Sequence, residues 1–206
     1  MPRHLFIMLK EPRAGRVKTR LGRDIGMTRA AWWFRHQAGR MIRTLGRDPR
    51  WQTVLAVSPD VEGLQSRVWP GNLPRWPQGR GDLGARMAAI FKGAPHGPVL
   101  IIGADIPEIT PALIEKAFRV LGTHDAVFGP ASDGGYWLVG LKRTRRVSID
   151  LFRGVRWSSE HALADTKATL CGMRVGYIDT LQDVDRASDL ALINMTALNL
   201  PAKAAP

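Results

Sequence analysis

The chain has 206 residues, carries 30 Lys and Arg against 18 Asp and Glu, and has a formal net charge of +12. That length suits one domain burying roughly 70% of its unfolded surface, and its lone cysteine, Cys171, can form no intrachain bridge, which fits a reducing, cytoplasmic setting. Without an apolar stretch near the roughly 20 residues of a membrane span, a spanning protein is not expected.

Strand and helix signals alternate along the chain. His4–Leu9 is a short apolar run, read as a buried first strand. It stops at Lys10, too soon for the core of an export signal. Residues 28–47 place Ala30, Phe34, Ala38, Met41, Ile42 and Leu45 at helical spacing. Gln52–Ser58 reads as a strand and Gly84–Phe91 as a helix. Pro98–Asp105 is a continuous apolar run, the pattern of a strand buried on both faces. Thr110 and Pro111 open a helix as N-cap and first residue, predicted to run to about Leu121. Strands are expected at Ala126–Pro130, Tyr136–Leu141 and Arg174–Ile178. Helices are expected at Ser158–Cys171, with Ser158 as N-cap and Cys171 as a small buried apolar residue, and at Asp185–Leu198. The segment 69–81, rich in proline and glycine, reads as irregular. Residues 1–200 are expected to form a single domain, with 201–206 a frayed tail.

Such alternation predicts an α/β fold with a mainly parallel sheet covered on both faces. Ligands of such sheets sit outside the carboxyl ends of the strands. The unusual residues of this chain cluster there. The first 50 residues hold 13 Lys and Arg against 3 Asp and Glu, whereas the other 156 hold 17 against 15. An anionic partner for the first quarter follows.

Five segments carry candidate chemistry. After the first strand, Lys10, Arg13, Lys18 and Arg20, with Gly15 permitting a tight loop, would surround a phosphate chain. The spacing is not that of a Walker A loop. Gly81, Asp82, Leu83 and Gly84 precede a helix whose N-terminus could meet a base or ribose; the plain alternative is that Asp82 is an N-cap. Asp105 ends the most apolar strand, where a carboxylate is costly unless paired or on a metal, and a hard Mg²⁺ or Mn²⁺ ion takes such oxygen ligands. Asp133, Gly134, Gly135 and Tyr136 lie between two apolar runs, either as a hairpin turn or as a loop facing a sugar or acceptor, with Trp157 packing beside it. Asp183 or Asp185 could supply the second metal carboxylate, which leaves Asp189 to cap the last helix.

With these segments in order, the chain resembles the bacterial DUF2064 proteins of the glycosyltransferase-A-like superfamily, relatives of phospholactate guanylyltransferases and molybdenum-cofactor nucleotidyltransferases. The resemblance rests on KEPRAGRVKTRL, QGRGDLGARM, IGADIP, GPASDGGYWLVGL, LFRGVRWSSEHAL and LQDVDRASDL. It implies a three-layer, Rossmann-like GT-A fold, nucleotide binding at the basic N-terminal loop and a metal at Asp105. Two departures stand out. The superfamily's D-x-D pair is here Gly103-Ala104-Asp105, and Arg186 stands where the last motif often has threonine.

The reading that follows is a metal-dependent transferase acting on an activated nucleotide, with Lys18, Asp105 and Asp133 as the catalytic candidates. An aromatic face beside Asp133, with no cation between Ala126 and Leu141, favours a nucleotide-diphospho-sugar donor. The alternative is nucleotidyl transfer with release of pyrophosphate. The acceptor would be a small molecule. A basic nucleic-acid-binding protein is the rival from another class, but no recognition motif supports it.

Overall fold

The computed structural model describes residues 1–144 and 146–190. Its elements in chain order are β1 (His4–Lys10), α1 (Thr19–Ile25), α2 (Met27–Leu45), β2 (Gln52–Ser58), α3 (Asp60–Leu64), β3 (Arg75–Pro77), α4 (Leu83–Gly93), β4 (Val99–Gly103), α5 (Pro111–Thr123), β5 (Ala126–Pro130), β6 (Tyr136–Leu141), α6 (Ala162–Ala168) and β7 (Val175–Tyr177). The strands form one seven-stranded sheet in the order β3-β2-β1-β4-β6-β5-β7. All run parallel except β6, which pairs antiparallel with both β4 and β5.

Side-chain alternation in the central strands divides the core between two faces. Leu5, Ile7 and Leu9 of β1 and Leu100 and Ile102 of β4 point to one side, where they meet Phe34, Ala38 and Met41 of α2 and Ile114, Ala117 and Phe118 of α5. Phe6 of β1 and Val99 and Ile101 of β4 point to the other, against Met87, Ile90 and Phe91 of α4 and Ala162 of α6. Continuous apolar strands are what this double burial requires, and each buried large side chain contributes about 1.5–3 kcal/mol. The result is a three-layer α/β/α fold.

The expected N-caps at α4 and α5 form. Asp82 Oδ1 accepts from the Ala85 amide at 2.8 Å and Thr110 Oγ1 from that of Leu113 at 3.4 Å. Other expectations are corrected. Residues 69–81 contribute a real strand, β3, paired with β2. Ser158 is no N-cap: its φ of 58° is left-handed, and α6 begins only at Ala162, beyond Ser159 Oγ bonding back to the Arg156 carbonyl. Cys171 lies beyond α6 and is exposed. Asp189 does cap, accepting from the Asp185 and Arg186 amides at 2.9 and 2.7 Å. The rest of the expected last helix and the tail 201–206 lie outside the described residues. No described helix is long and apolar enough to cross a membrane.

Candidate active site

The site lies at the carboxyl ends of β1, β4, β5 and β7, where the parallel topology brings distant loops together. Three segments put charged side chains there by the same local device, a charged residue beside buried apolar ones. Asp105 sits between Ala104 and Ile106, which are 3% and 2% exposed. Asp183 and Asp185 flank Val184, which is fully buried against Leu21 of α1 and Ala30 of α2. Lys18 follows buried Val17. Anchoring the apolar neighbours leaves the polar side chains to face one another.

Lys18 is the centre of the arrangement. Its side chain is only 7% exposed, and Nζ lies 2.8 Å from Asp105 Oδ2, 3.0 Å from Asp185 Oδ1 and 4.0 Å from Asp183 Oδ2. Arg20 holds the other oxygen of Asp185 at 2.7 Å. The Lys18 backbone is left-handed, φ 45° and ψ 48°, at the N-cap of α1, a conformation that costs a non-glycine residue about 1–2 kcal/mol. Burial opposes the Lys18 charge, but Asp105 and Asp185 outweigh it and hold the amine above the ordinary lysine range. Burial also opposes the Asp185 charge, yet Lys18 and Arg20 keep that carboxyl below its usual range. Asp183 is the carboxylate short of cationic partners. Burial first, then the neighbouring Asp185, pushes its pKa up to about 6.

Two cavities share this floor. The larger, about 720 Å³, is lined by Lys10, Arg16, Lys18 and Arg20, by Gly81, Asp82, Leu83 and Arg86, and by Asp105, Asp133, Asp183 and Asp185. Its volume suits a nucleotide-sized ligand. The smaller, about 170 Å³, shares Leu83, Asp105, Asp133, Ser158 and Asp183 and adds Gly135, Tyr136, Trp157 and Ser159. Asp133 shapes its own loop by accepting from the Gly135 amide at 2.9 Å, and Gly134, at φ 84°, passes against the Glu160 backbone. Tyr136 turns its hydroxyl to Thr166 Oγ1 at 3.2 Å; burial raises its pKa above the ordinary phenol value. The Trp157 indole nitrogen is buried without a hydrogen-bond partner among the described residues.

Most residues singled out from the sequence thus line one of the two cavities. Arg13, Gly15 and Gly84 do not; Gly84 packs against Phe152 and Trp157. Arg13 turns to Glu62 at 3.2 Å, and Gly15, at φ 75°, makes the turn between Arg13 and Arg16. Gly134 supports the smaller cavity from behind rather than lining it. Arg16 and Arg86 line the larger cavity although the sequence did not single them out. Gln78 was also missed. It is 4% exposed and donates from Nε2 to the carbonyls of Leu9 and Ala56 at 3.1 and 2.7 Å, tying the cavity wall to β1 and β2.

The donor set suits a hard divalent cation. Asp105, Asp183 and Asp185 offer carboxylate oxygens and, among the described residues, pair with only Lys18 and Arg20 as counter-charges. Among the described residues no three acidic, histidine or cysteine side chains already stand at metal-ligand spacing.

A family model described as "Uncharacterized protein conserved in bacteria (DUF2064)" matches residues 41–159. No curated protein matches the chain. Among solved structures, a candidate nucleotide-diphospho-sugar transferase from Desulfovibrio desulfuricans G20 superposes with a TM-score of 0.86 at 29% identity, covering 100% of this chain and 92% of that one. A CMP:2-keto-3-deoxy-manno-octonic acid synthetase complexed with CTP gives a TM-score of 0.57 at 10% identity, covering 97% and 100%. Rv0371c from Mycobacterium tuberculosis H37Rv, in complex with manganese, gives 0.52 at 15% identity, covering 94% and 97%. The last two share the fold. The family match leaves out Lys18 and the Asp183–Asp185 segment, whereas the Desulfovibrio structure spans the whole chain.

Proposed function

The chain belongs to the DUF2064 family, and from that premise we propose that it is a cytoplasmic, metal-dependent transferase that takes a nucleotide-diphospho-sugar as donor and passes the sugar to a small-molecule acceptor. The observation that carries this reading is the convergence of Lys18 with Asp105, Asp183 and Asp185 on the floor of a cavity rimmed by further cations. In it, Lys10, Arg16, Lys18 and Arg20 meet the phosphates, as charged donors do. Gly81, Asp82, Leu83 and Arg86 lie where the base or ribose would rest. Asp105, with Asp183 or Asp185, would hold Mg²⁺ or Mn²⁺. Bound there, the ion supplies charge stabilisation to the leaving diphosphate.

The sugar end of the donor is assigned to the smaller cavity. Trp157 lines it with an aromatic side chain, and Asp133 offers carboxylate oxygens to hydroxyl groups. Tyr136 contributes an apolar ring rather than its bonded hydroxyl. No lysine or arginine among the described residues lines this cavity, which favours an uncharged sugar there over a phosphorylated acceptor awaiting nucleotidyl transfer. The fold shared with a CTP-bound synthetase keeps nucleotidyl transfer as the specific competitor. Product analysis with the purified protein, Mn²⁺ and mixed donors decides. Release of a nucleoside diphosphate from a nucleotide-sugar is expected; pyrophosphate released from a nucleoside triphosphate, with every nucleotide-sugar left intact, would overturn the assignment.

A further inference from the structure

We propose that Lys18 is the resident counter-ion of the carboxylate cluster, that it gives up Asp105 and Asp185 when a divalent cation binds, and that its released ammonium then pairs with the phosphates of the donor. The inference rests on the metal and nucleotide reading above and adds the order in which the charges are exchanged.

Space makes the first argument. Lys18 Nζ stands 2.8, 3.0 and 4.0 Å from oxygens of Asp105, Asp185 and Asp183. Mg²⁺ binds carboxylate oxygens at about 2.0–2.1 Å, so an ion bound by Asp105 Oδ2 and Asp185 Oδ1 would occupy the gap the ammonium now fills.

Charge makes the second. Among the described residues, three carboxylates are paired with two cations, Lys18 and Arg20. Adding a divalent ion with Lys18 in place would leave the cluster positive; adding it with Lys18 withdrawn would leave it neutral. The withdrawn ammonium needs a new partner, and the structure offers it a route. Lys18 also lines the large cavity, beside Arg16 and Arg20, and a lysine stem has four flexible carbons. A donor diphosphate in that cavity would complete the exchange. Metal and donor would then bind cooperatively, each favouring the other by the same factor.

The test uses the full chain and Mn²⁺ alone, followed by electron paramagnetic resonance, in the wild type, Lys18→Met and Lys18→Arg. Lys18→Met should bind Mn²⁺ more tightly than wild type, by about 5–150-fold as expected for coupled sites, and Lys18→Arg should not. In the wild-type protein, Mn²⁺ should also raise the rate at which an acylating reagent labels Lys18, read by mass spectrometry. This second readout stands even if Lys18→Met fails to fold. Unchanged labelling in the presence of saturating Mn²⁺, or equal Mn²⁺ affinity in wild type and Lys18→Met, would overturn the exchange while sparing the metal reading. Absence of Mn²⁺ binding in both proteins would overturn both.

Discussion

Lys18 donates to Asp185 across 3.0 Å although 167 positions separate them in the chain. The pair joins the loop after β1 to the segment after β7, and with Asp105 it closes the floor of the large cavity. Removing either partner therefore disturbs more than one charge.

Replacing Asp105 with Asn keeps the shape of the side chain and removes its charge. Lys18 retains Asp185, so the fold should survive. Calorimetry should find that Mn²⁺ no longer strengthens nucleotide binding, so that affinity with metal falls to the metal-free value. An unchanged Mn²⁺ dependence would make Asp105 a structural partner of Lys18 alone.

The cations of the first loop should separate into two groups. Arg16 and Arg20 line the cavity, whereas Arg13 pairs with Glu62 outside it. Arg16→Ala and Arg20→Ala should each weaken nucleotide binding by about 1.5–3 kcal/mol, the range for hydrogen bonds to charged groups. Arg13→Ala should leave the affinity unchanged. Equal losses at all three positions would contradict the cavity's geometry.

Gly134 combines a φ of 84° with a Cβ position that would overlap the Glu160 carbonyl. Gly134→Ala should destabilise the protein by at least about 2 kcal/mol, a fall in Tm of roughly 4–8 °C for a chain of this size. Gly71, where an added Cβ meets nothing within 4 Å, provides the control: Gly71→Ala should shift Tm little.

One pH dependence follows from an ion pair that joins the segment before Trp157 to α6. Arg156 donates to Asp165 through both Nε and Nη2, at 2.8 and 2.9 Å, and through its amide. The guanidinium bonds first, and the amide next, hold the Asp165 carboxyl down to about 2. Its unfolded value is about 3.9. A depressed carboxylate stabilises the fold fully above the unfolded value and loses that contribution as pH falls toward the folded one. Asp165→Asn should therefore lower Tm at neutral pH, with the difference from wild type shrinking between about pH 4 and pH 2. The pair is exposed, so the effect should be small and weakened by salt. A difference that persists undiminished at pH 2 would contradict the assignment.

What the sequence made legible follows from how local each feature is. β1, β4 and β5 are short apolar runs that need both faces covered, and they read correctly. Asp82 and Thr110 cap through amides three residues away, well inside a sequence window. β3 was hidden because Arg75–Pro77 has three residues, one of them proline, and owes its existence to pairing with β2. Arg13 and Arg16 are indistinguishable by residue type; the turn at Gly15 sends only one of them to the cavity. Lys18 read as a free phosphate ligand, since nothing near it in the chain announces Asp105 or Asp185. Cys171 read as buried because its helix was extended too far. The sequence suggests that Asp105 meets Asp183 or Asp185, but the geometry that brings them to Lys18 is a property of the parallel sheet.

The most direct measurement of the central claim is a thermal-shift panel of nucleotide-sugars and nucleoside triphosphates covering the common bases, with and without Mn²⁺. A ligand at about 100 times its Kd adds about 2.7 kcal/mol to stability, which is readily seen. At least one nucleotide-sugar should raise Tm, the rise should need Mn²⁺, and Asp105→Asn should abolish it. A panel in which no nucleotide shifts Tm, with metal or without, would contradict the claim that this cavity binds an activated nucleotide.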